Sequence, residues 1–341
     1  MKAEAIEINW QSKLPIFASG SFLKAVGDEY GWLGGFDDSG KLRCILPYTI
    51  IRKGFFRLVR FRVDTILLDG ELDVQGEKSF LNSIIEYFRS IKADIIIPAT
   101  NNTIFRIYPD GAKVAPYGSY VIDLKQSEDI LWRNIHRITR QNIKTAAKTG
   151  VSIREDGIEH LEAMYELIVD TFKRSNLPFM DYKSLKRFVL GLGENGKIII
   201  AENQGILQSC VIYGFSEYCA YAIYGGNRAN MDEGANKLLH WEAVRLFKNL
   251  GIQRYDFVGA RIDPEKGSKE EAINAFKRRL GGKLKQGYMW KYSLRPVGSI
   301  TYSLAVRYLR GGDIVDRECN KMKSSGALPV AGNRANEDDL C

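Results

Sequence analysis

The chain has 341 residues, of which 45% are hydrophobic and 26% charged, so collagen, coiled coil and disorder along its whole length are excluded. The length favours two domains, each large enough to bury its own core. Lysine and arginine total 49 against 41 acidic residues, and the net charge of +8 favours anionic partners such as phosphorylated substrates, RNA or an anionic membrane surface.

The sequence predicts neither a membrane span nor a secretion signal. It has no apolar run of about 18 residues, and Met1–Glu7 lacks an apolar signal core. The five cysteines follow no CxxC spacing, and Cys44, Cys210 and Cys219 lie in strand-like apolar runs typical of reduced core residues. Reduced cysteines favour a cytoplasmic location. The three histidines are dispersed, so we expect no metal site, and we also expect no cofactor.

The first half of the chain has the pattern of a hairpin, a helix and a strand. Turn residues at Asp38–Gly40 separate strand-like runs at Trp32–Phe36 and Leu42–Ile51. Apolar residues at helical spacing predict a helix over Ser79–Ile91, and Asp94–Pro98 has the composition of a buried strand.

The second half repeats this order. A hairpin is predicted around Asn203–Gly205, with a third strand at Tyr218–Tyr224. Further along are a predicted helix at Ala235–Leu250, a strand at Tyr255–Val258 and a helix at Lys269–Leu280. Hairpins followed by helix–strand alternation predict an α/β fold with mixed sheets, here duplicated in tandem.

The duplication also predicts the domain boundaries. We place the first domain at 1–125 and the second at 126–294. The segment 295–319 is too short to form a core alone, so we expect it to return to the first domain. The tail 320–341 is polar and is expected to be flexible.

A long basic helix is predicted over Glu128–Thr149. Its core-facing residues are Leu131, Ile135, Ile138, Ala146 and Ala147. Its basic residues, which form one stripe, are Arg133, Arg137, Arg140, Lys144 and Lys148. A solvated helix face and an anion-binding surface both remain open for this stripe.

A group of motifs lies between Pro116 and Tyr292. The segments are Trp132–Lys144, Gly150–Arg154, Tyr224–Gly226, Leu238–Ala243, Tyr255–Ala260 and Ala275–Gly282. In combination they resemble the FemABX family, the aminoacyltransferases that build peptidoglycan cross-bridges. The resemblance implies two tandem GNAT-like (acyl-CoA N-acyltransferase-like) domains. No long charged insertion with repeating leucines is present, so we expect the coiled-coil arm of some family members to be absent.

The segment Tyr224–Ala235 bears on the acyl donor. Acetyl-CoA enzymes of this superfold hold the pyrophosphate on a glycine-rich turn before a helix N-terminus. Here the Arg-x-x-Gly-x-Gly/Ala pattern is missing, and Asp232 and Glu233 would repel another anion, which predicts a donor other than CoA. The candidate substrate contacts in this segment are Tyr224, Gly225, Gly226 and Arg228. A plain strand end and helix start would have the same composition.

The resemblance also implies catalytic residues. In the family, the lysine after the phenylalanine of the last motif stabilises the transition state or the donor phosphate, which here is Lys277. From the residues alone, Lys277–Arg279 is equally a solvated basic cluster. Asp256, at a strand end, could orient the attacking amine or accept helix N–H groups.

Further substrate contacts follow from the same resemblance. Family members grip nucleotide-linked acceptors with an arginine and a tyrosine after the first helix of the second domain. Tyr182 and Arg174 are the candidates here, although no arginine falls at the expected spacing. Lys24 is a candidate diphosphate contact in the first domain, and the basic stripe, through Arg137, Arg140 and Lys144, is a candidate donor site.

Three functions are compatible with these observations. The leading hypothesis is an aminoacyltransferase that joins an amino acid, delivered by aminoacyl-tRNA, to an amine of an anionic cell-envelope precursor. The second is an acyl-CoA-dependent N-acyltransferase of envelope polysaccharide biosynthesis. The third is a non-catalytic RNA- or anion-binding module. We expect a monomer that makes peripheral contact with an anionic membrane.

Overall fold

The computed structural model describes residues 1–68 and 72–325. The helices are α1 (Gly20–Val26), α2 (Val74–Ser90), α3 (Glu128–Asn134), α4 (Arg137–Lys148), α5 (Leu161–Lys173), α6 (Tyr182–Leu192), α7 (Ala235–Asn249), α8 (Lys269–Arg279), α9 (Pro296–Arg310) and α10 (Ile314–Ser325). The strands are β1 (Lys2–Ile6), β2 (Glu29–Phe36), β3 (Leu42–Lys53), β4 (Phe56–Phe61), β5 (Ile66–Leu67), β6 (Ile95–Ile96), β7 (Lys113–Asp123), β8 (Ser152–Asp156), β9 (Gly196–Asn203), β10 (Ile206–Phe215), β11 (Ala220–Asn227), β12 (Arg254–Asp256), β13 (Ala260–Arg261) and β14 (Lys283–Ser293).

The chain forms two compact units. Unit 1 contains Met1–Trp10, Gly27–Gly118 and the described chain from Gln286 onward, and unit 2 contains Gln11–Val26 and Ser119–Lys285. Three segments differ from the domains proposed above. The segment 119–125 groups with unit 2, and 286–294 groups with unit 1. Gln11–Val26 was assigned to the first domain but groups with unit 2, because the aromatic rings of this segment pack against those of β11 and α6.

Unit 1 is a mixed sheet covered by a helix. Its strand order is β1-β2-β3-β4-β6-β14, and only the β4–β6 pair is parallel. Helix α2 begins at the N-cap Asp73, whose carboxylate accepts a hydrogen bond from Gly76 N at 2.6 Å. Phe80, Ile84 and Phe88 recur at every fourth position and are fully buried, which confirms the predicted helix.

Unit 2 has the strand order β7-β12-β11-β10-β9-β8. The hairpin of β9 and β10 is confirmed, and α7 packs on the sheet through Leu239, Ala243 and Phe247, which are all buried. The parallel pair of β11 and β12 is short, because its register covers only Ala220 with Tyr255 and Tyr221 with Asp256. Since β11 continues beyond this pairing to Asn227, the sheet has a notch where β12 ends.

The prediction of one continuous basic helix is wrong. Helix α3 ends at Asn134, Ile135 is extended with φ −70° and ψ 133°, and α4 begins at Arg137. The break depends on a contact far along the chain, because His136 N donates a 2.9 Å hydrogen bond to the carbonyl of Arg279.

The break also changes which residues of this segment face the core. Ile138 is 61% exposed and Ala147 is exposed, although both were predicted to be buried. The buried residues of α4 are Thr139, Asn142, Ile143 and Ala146. Because two helices replace one, Arg133 to Lys148 do not form a single stripe.

The described part of the predicted flexible tail is partly helical. Helix α10 runs to Ser325, and Val315 and Cys319 bury its inner face, so 320–325 are ordered in a helix. The remainder of the tail lies outside the described residues. Cys44, Cys210 and Cys219 are buried free thiols, as predicted. Among the described residues no helix combines the length and the apolar character that crossing a bilayer requires.

Candidate functional site

A buried polar cluster lies at the notch of unit 2. It is built on the turn that follows β12, where Val258 has φ +44° and Gly259 has φ +62°. A β-branched residue in this left-handed region is strained, and such strain is retained where the surroundings hold it. Here the carboxylate of Asp256 accepts hydrogen bonds from Val258 N at 2.8 Å and from the hydroxyl of Ser119.

Lys277 lies beneath this turn. Its helix, α8, begins at the N-cap Ser268, whose hydroxyl accepts a hydrogen bond from Glu271 N at 3.2 Å. The Lys277 amine donates to the carbonyl of Val258 at 2.5 Å and to that of Gly259. Lys277 is only 8% exposed, so it is not part of a solvated cluster, whereas its neighbours Arg278 and Arg279 are exposed.

Burial changes the acid–base properties of both candidate catalytic residues. It lowers the pKa of Lys277 to about 8, and the nearby Asp256 carboxylate opposes this effect. Burial also raises the pKa of Asp256, against the hydrogen bond from Ser119. A lysine whose pKa lies near neutrality can change its charge at working pH, a property that is frequent at active sites.

Aromatic and imidazole groups support the cluster from the core side. His240 Nδ1 is 2.6 Å from the Tyr255 hydroxyl, which is itself 2.9 Å from that of Tyr213. Burial, followed by the charge of Lys277, lowers the pKa of His240 to about 3, so this histidine is neutral at ordinary pH. A neutral and fully buried imidazole serves here as a packing and hydrogen-bonding group.

Gly225 and Gly226, near the end of β11, have different environments. A Cβ on Gly226 would lie 2.7 Å from Ile168 N, so the close approach of α5 to β11 requires glycine there. A Cβ on Gly225 would make only ordinary contacts, at 3.5 Å. The ring of Tyr224 packs edge-on against Phe179 and Phe188, with centroids 5.2 and 5.3 Å away.

The N-terminus of α7 is covered by α4. Gly234 precedes α7 with φ +87°, and a Cβ there would lie 2.2 Å from the carbonyl oxygen of Asn142 in α4. The Asn142 amide donates a hydrogen bond to Glu233, and the amide of Asn203 donates to Asp232 at 2.7 Å. Backbone contact and two carboxylates therefore surround the helix start where a CoA pyrophosphate would need free N–H groups.

Comparison with known proteins shows a family to which part of the chain is similar. A model described as the FemAB family matches residues 110–205, the segment that includes α3, α4, β8 and α5. Over this segment the chain is similar to the FemAB family. The family match supports the prediction that the protein is an acyltransferase.

Solved structures show the fold. A crystal structure of FemX superposes with a TM-score of 0.66 and 14% identity, over 87% of this chain and 99% of that chain. The C-terminal domain (DUF2156) of a putative lysylphosphatidylglycerol synthetase from Agrobacterium fabrum superposes with a TM-score of 0.52 and 12% identity, over 85% of this chain and 92% of that one. The predicted tandem GNAT-like α/β fold is thus confirmed. No curated protein matches the chain.

The candidate acceptor residues hold structural elements together. The guanidinium of Arg174 donates to the Thr171 hydroxyl at 3.1 Å and to the carbonyl of Asn227, so it fixes the end of β11. Tyr182 is half-buried, and its ring lies edge-on to that of Tyr165, with centroids 5.5 Å apart.

The other basic candidates have separate positions. Arg140 is half-buried, and its guanidinium donates to the carbonyls of Trp132, Arg133 and Ile135 at the end of α3. The side chains that face solvent are those of Arg137 and Lys144 in α4, Arg228 after β11 and Lys24 in α1. Lys24 belongs to unit 2 and not, as predicted, to the first domain, because α1 packs against α6 there.

Sequence reasoning missed three parts of the site. Ser119 is 137 positions from Asp256, and no motif links them. In the sequence, the strained turn at Val258 is indicated by nothing more than the glycine that follows it. The aromatic group around Tyr224, with Phe172, Phe179 and Phe188, spans α5, the loop after it and α6, and could have been found only as a local excess of aromatic residues.

Two other features of unit 2 lie apart from these candidates. A groove of about 430 Å³ between α4, β8 and α7 is lined by residues that include Val151, Arg154 and Glu242, and it contains none of the predicted site residues. Asp156 lies 2.7 Å from His160 Nδ1 and near Glu159, a group that could hold a metal. The Asp156 carboxylate already pairs with the Arg154 guanidinium at 3.1 Å, which satisfies it without a metal ion.

Proposed function

We propose that this protein is an aminoacyltransferase. It would form an amide bond between an amino acid, delivered as aminoacyl-tRNA, and an amine of an anionic cell-envelope precursor. The observation that carries the proposal is the buried Lys277, with its pKa lowered to about 8, beneath the strained turn after β12. Aminoacyl-tRNA is made in the cytoplasm, so the proposal includes a cytoplasmic location.

The reaction would exchange one bond for another. The ester C–O bond to the terminal ribose of the tRNA breaks, an amide C–N bond forms, and the proton released by the amine goes to the ribose oxygen. During the exchange the carbonyl oxygen of the transferred amino acid carries negative charge. A hydrogen-bond donor beside that oxygen lowers the activation free energy by about 2.7–4 kcal/mol. The Lys277 ammonium, which prevails below pH 8, is our candidate for this donor.

The sequence left two roles open for Asp256, and we propose the structural one. Its carboxylate is 7% exposed and already accepts hydrogen bonds from Ser119 and Val258 N. We therefore propose that Asp256 is a positioning residue that holds the turn and favours the charged form of Lys277, and that it does not itself take a proton from the acceptor amine.

The surroundings of α7 favour tRNA over CoA as the donor. Asn142 covers the helix start, and Asp232 and Glu233 are held beside it, so the site that would hold a pyrophosphate is both blocked and negatively charged. An acyl-CoA-dependent N-acyltransferase would need this site to be open. A non-catalytic module would have no use for a buried lysine under a strained turn.

The experiment compares donors and acceptors directly. The protein is incubated with tRNA charged with radiolabelled amino acids, or with labelled acetyl-CoA, each with and without extracts of envelope precursors. We expect label to leave the tRNA only when an acceptor is present and to reappear in an alkali-stable amide. Transfer from acetyl-CoA, or no transfer from either donor with every acceptor, would contradict the proposal.

A further inference from the structure

Helix α9 of unit 1 has an apolar row on its outer face. Ile300, Leu304 and Tyr308 follow each other at every fourth position and are 61%, 61% and 90% exposed. The opposite side is anchored, since Ser299 is 3% exposed and its hydroxyl donates to the carbonyl of Asp94 at 2.8 Å. One side of the helix is therefore anchored, while these three apolar side chains face solvent.

A second exposed apolar residue lies at a neighbouring hairpin tip. Strands β3 and β4 are joined by the two-residue turn of Gly54 and Phe55, because Lys53 pairs with Phe56. Gly54 has φ +57°, which the turn needs, but the turn does not need an aromatic residue after it, and Phe55 is fully exposed. The ring of Phe56 packs against Tyr302 of α9 with centroids 5.7 Å apart, so the tip and the helix adjoin.

Basic residues surround this apolar surface. Arg307 is exposed between Leu304 and Tyr308, and α9 contains no acidic residue. Arg52 and Lys53 are exposed beside the hairpin tip, where Arg52 pairs with Glu29 at 2.6 Å. An exposed apolar row with cations at its border is the pattern of helices that lie in the interface of an anionic bilayer.

We propose that this surface, formed by Phe55, Ile300, Leu304, Tyr308 and Arg307 and here called the α9 face, docks on an anionic lipid bilayer. The apolar side chains enter the boundary between head groups and acyl chains, the tyrosine ring lies at the head-group level, and the cations contact lipid phosphates. This docking does not depend on the proposed acyl transfer.

Charge favours a bilayer over a second copy of the chain as the occupant. In a two-fold symmetric dimer the same surface meets itself, so Arg307 and Lys53 would face cations of the partner across a desolvated contact. An anionic bilayer supplies the opposite charge at the same depth as the cations. The surface also contains two aromatic side chains, which are frequent at membrane interfaces.

The test is co-sedimentation of the full chain with vesicles of phosphatidylcholine alone or mixed with phosphatidylglycerol. We expect the protein to sediment with the mixed vesicles, less so at high salt, and to remain in solution with phosphatidylcholine alone. Leu304→Gln and Phe55→Ser should each lower the partition coefficient about tenfold, because each removes a side chain from the apolar interface.

A matched control is available in unit 2. Leu190 on α6 is 59% exposed, nearly as much as Leu304, so Leu190→Gln makes the same chemical change away from the α9 face and should leave vesicle binding unaltered. Thermal unfolding of each variant checks that it is folded. Equal loss in the control and in Leu304→Gln, no binding by the wild type, or a wild-type dimer that Leu304→Gln dissociates in sedimentation velocity would each overturn the proposal.

Discussion

Each unit contains a lysine that is 8% exposed, and the two lysines have different partners. In unit 1, Lys291 pairs with the carboxylates of Asp313 at 2.8 Å and Asp316 at 2.7 Å. In unit 2, Lys277 donates to two backbone carbonyls, with Asp256 nearby. The partners of Lys291 carry the opposite charge, whereas the two carbonyls that Lys277 contacts carry no net charge, as its proposed catalytic role requires.

The acidic partners show the same difference. Burial alone would raise the pKa of Asp316, but hydrogen bonds from Lys113 and Lys291 lower it to about 2. The pKa of Asp256 is instead raised, mainly by burial. The cluster in unit 1 therefore stabilises the docking of α10 through fixed, opposite charges, whereas in unit 2 burial shifts the pKa values of Lys277 and Asp256 toward the neutral forms. Equal burial does not imply an equal role.

The largest expected effect comes from removing the charge of Lys277. Lys277→Met keeps the apolar stem, and Phe276 and Leu280 still pack on the core, so the helix should form. Turnover should fall about a hundredfold or more, with acceptor binding largely kept. Two carbonyls lose their donor, so we also expect the free energy of unfolding to fall by about 1–3 kcal/mol.

Arg278→Met is the matched control, because it removes the same charge from an exposed position on the same helix. Single-turnover transfer from charged tRNA and urea unfolding are measured for both variants. If the two retain similar activity, the proposed catalytic role of Lys277 is wrong. Ile273, on the same helix, is 40% exposed and so does not anchor it on the core, although its apolar character predicts that it would.

The pH profile sharpens the same comparison. Lys277 is charged below its pKa of about 8 and neutral above it, so the rate should fall about tenfold per pH unit on the alkaline side. Lys277→Arg keeps a positive charge at every accessible pH. Dividing the wild-type rate by the variant rate removes the titration of the acceptor amine, and a ratio that stays constant from neutral to alkaline pH would rule out this role.

The local elements were largely predictable from the sequence, and the site was not. Periodicity within a few residues determined α2, through Phe80 and Ile84, and turn residues located the β9–β10 hairpin. The break between α3 and α4 carries no proline or glycine, and depends on the distant carbonyl of Arg279. Lys277 sits at the edge of a helix face, where spacing alone cannot distinguish a buried amine from a solvated one.

In unit 1 the corresponding substitution should affect stability and leave catalysis intact. Lys291→Met removes the cation that Asp313 and Asp316 share and leaves Lys113 as the remaining cation beside Asp316, which we expect to cost about 3 kcal/mol. Lys283→Met, at an exposed position of the same strand, should cost less than about 0.5 kcal/mol. Urea unfolding measures both, and a folded Lys291→Met protein with a hundredfold lower turnover would break the comparison.

The smallest expected effects concern Arg137 and Arg140 of α4, which were both predicted to contact the donor. Arg140 donates to three carbonyls that end α3, with N–O distances of 3.3, 2.9 and 2.7 Å, so its donors are already in use. Arg140→Met should therefore lower the free energy of unfolding by about 1–2 kcal/mol, as expected when a cation that satisfies the last carbonyls of a helix is lost.

Arg137 is exposed, and Arg137→Met should leave stability within about 0.5 kcal/mol of the wild type. If α4 binds tRNA, the effect of this variant should be on binding. A plot of the logarithm of the tRNA association constant against the logarithm of the salt concentration should have a slope smaller in magnitude by about one, because one phosphate contact is lost. Lys144→Met should behave like Arg137→Met, whereas Arg140→Met should change the slope less. An Arg140 variant with normal stability and a slope reduced as in Arg137→Met would show that its guanidinium leaves the carbonyls to bind phosphate. The basic segment would then act as one surface despite its break.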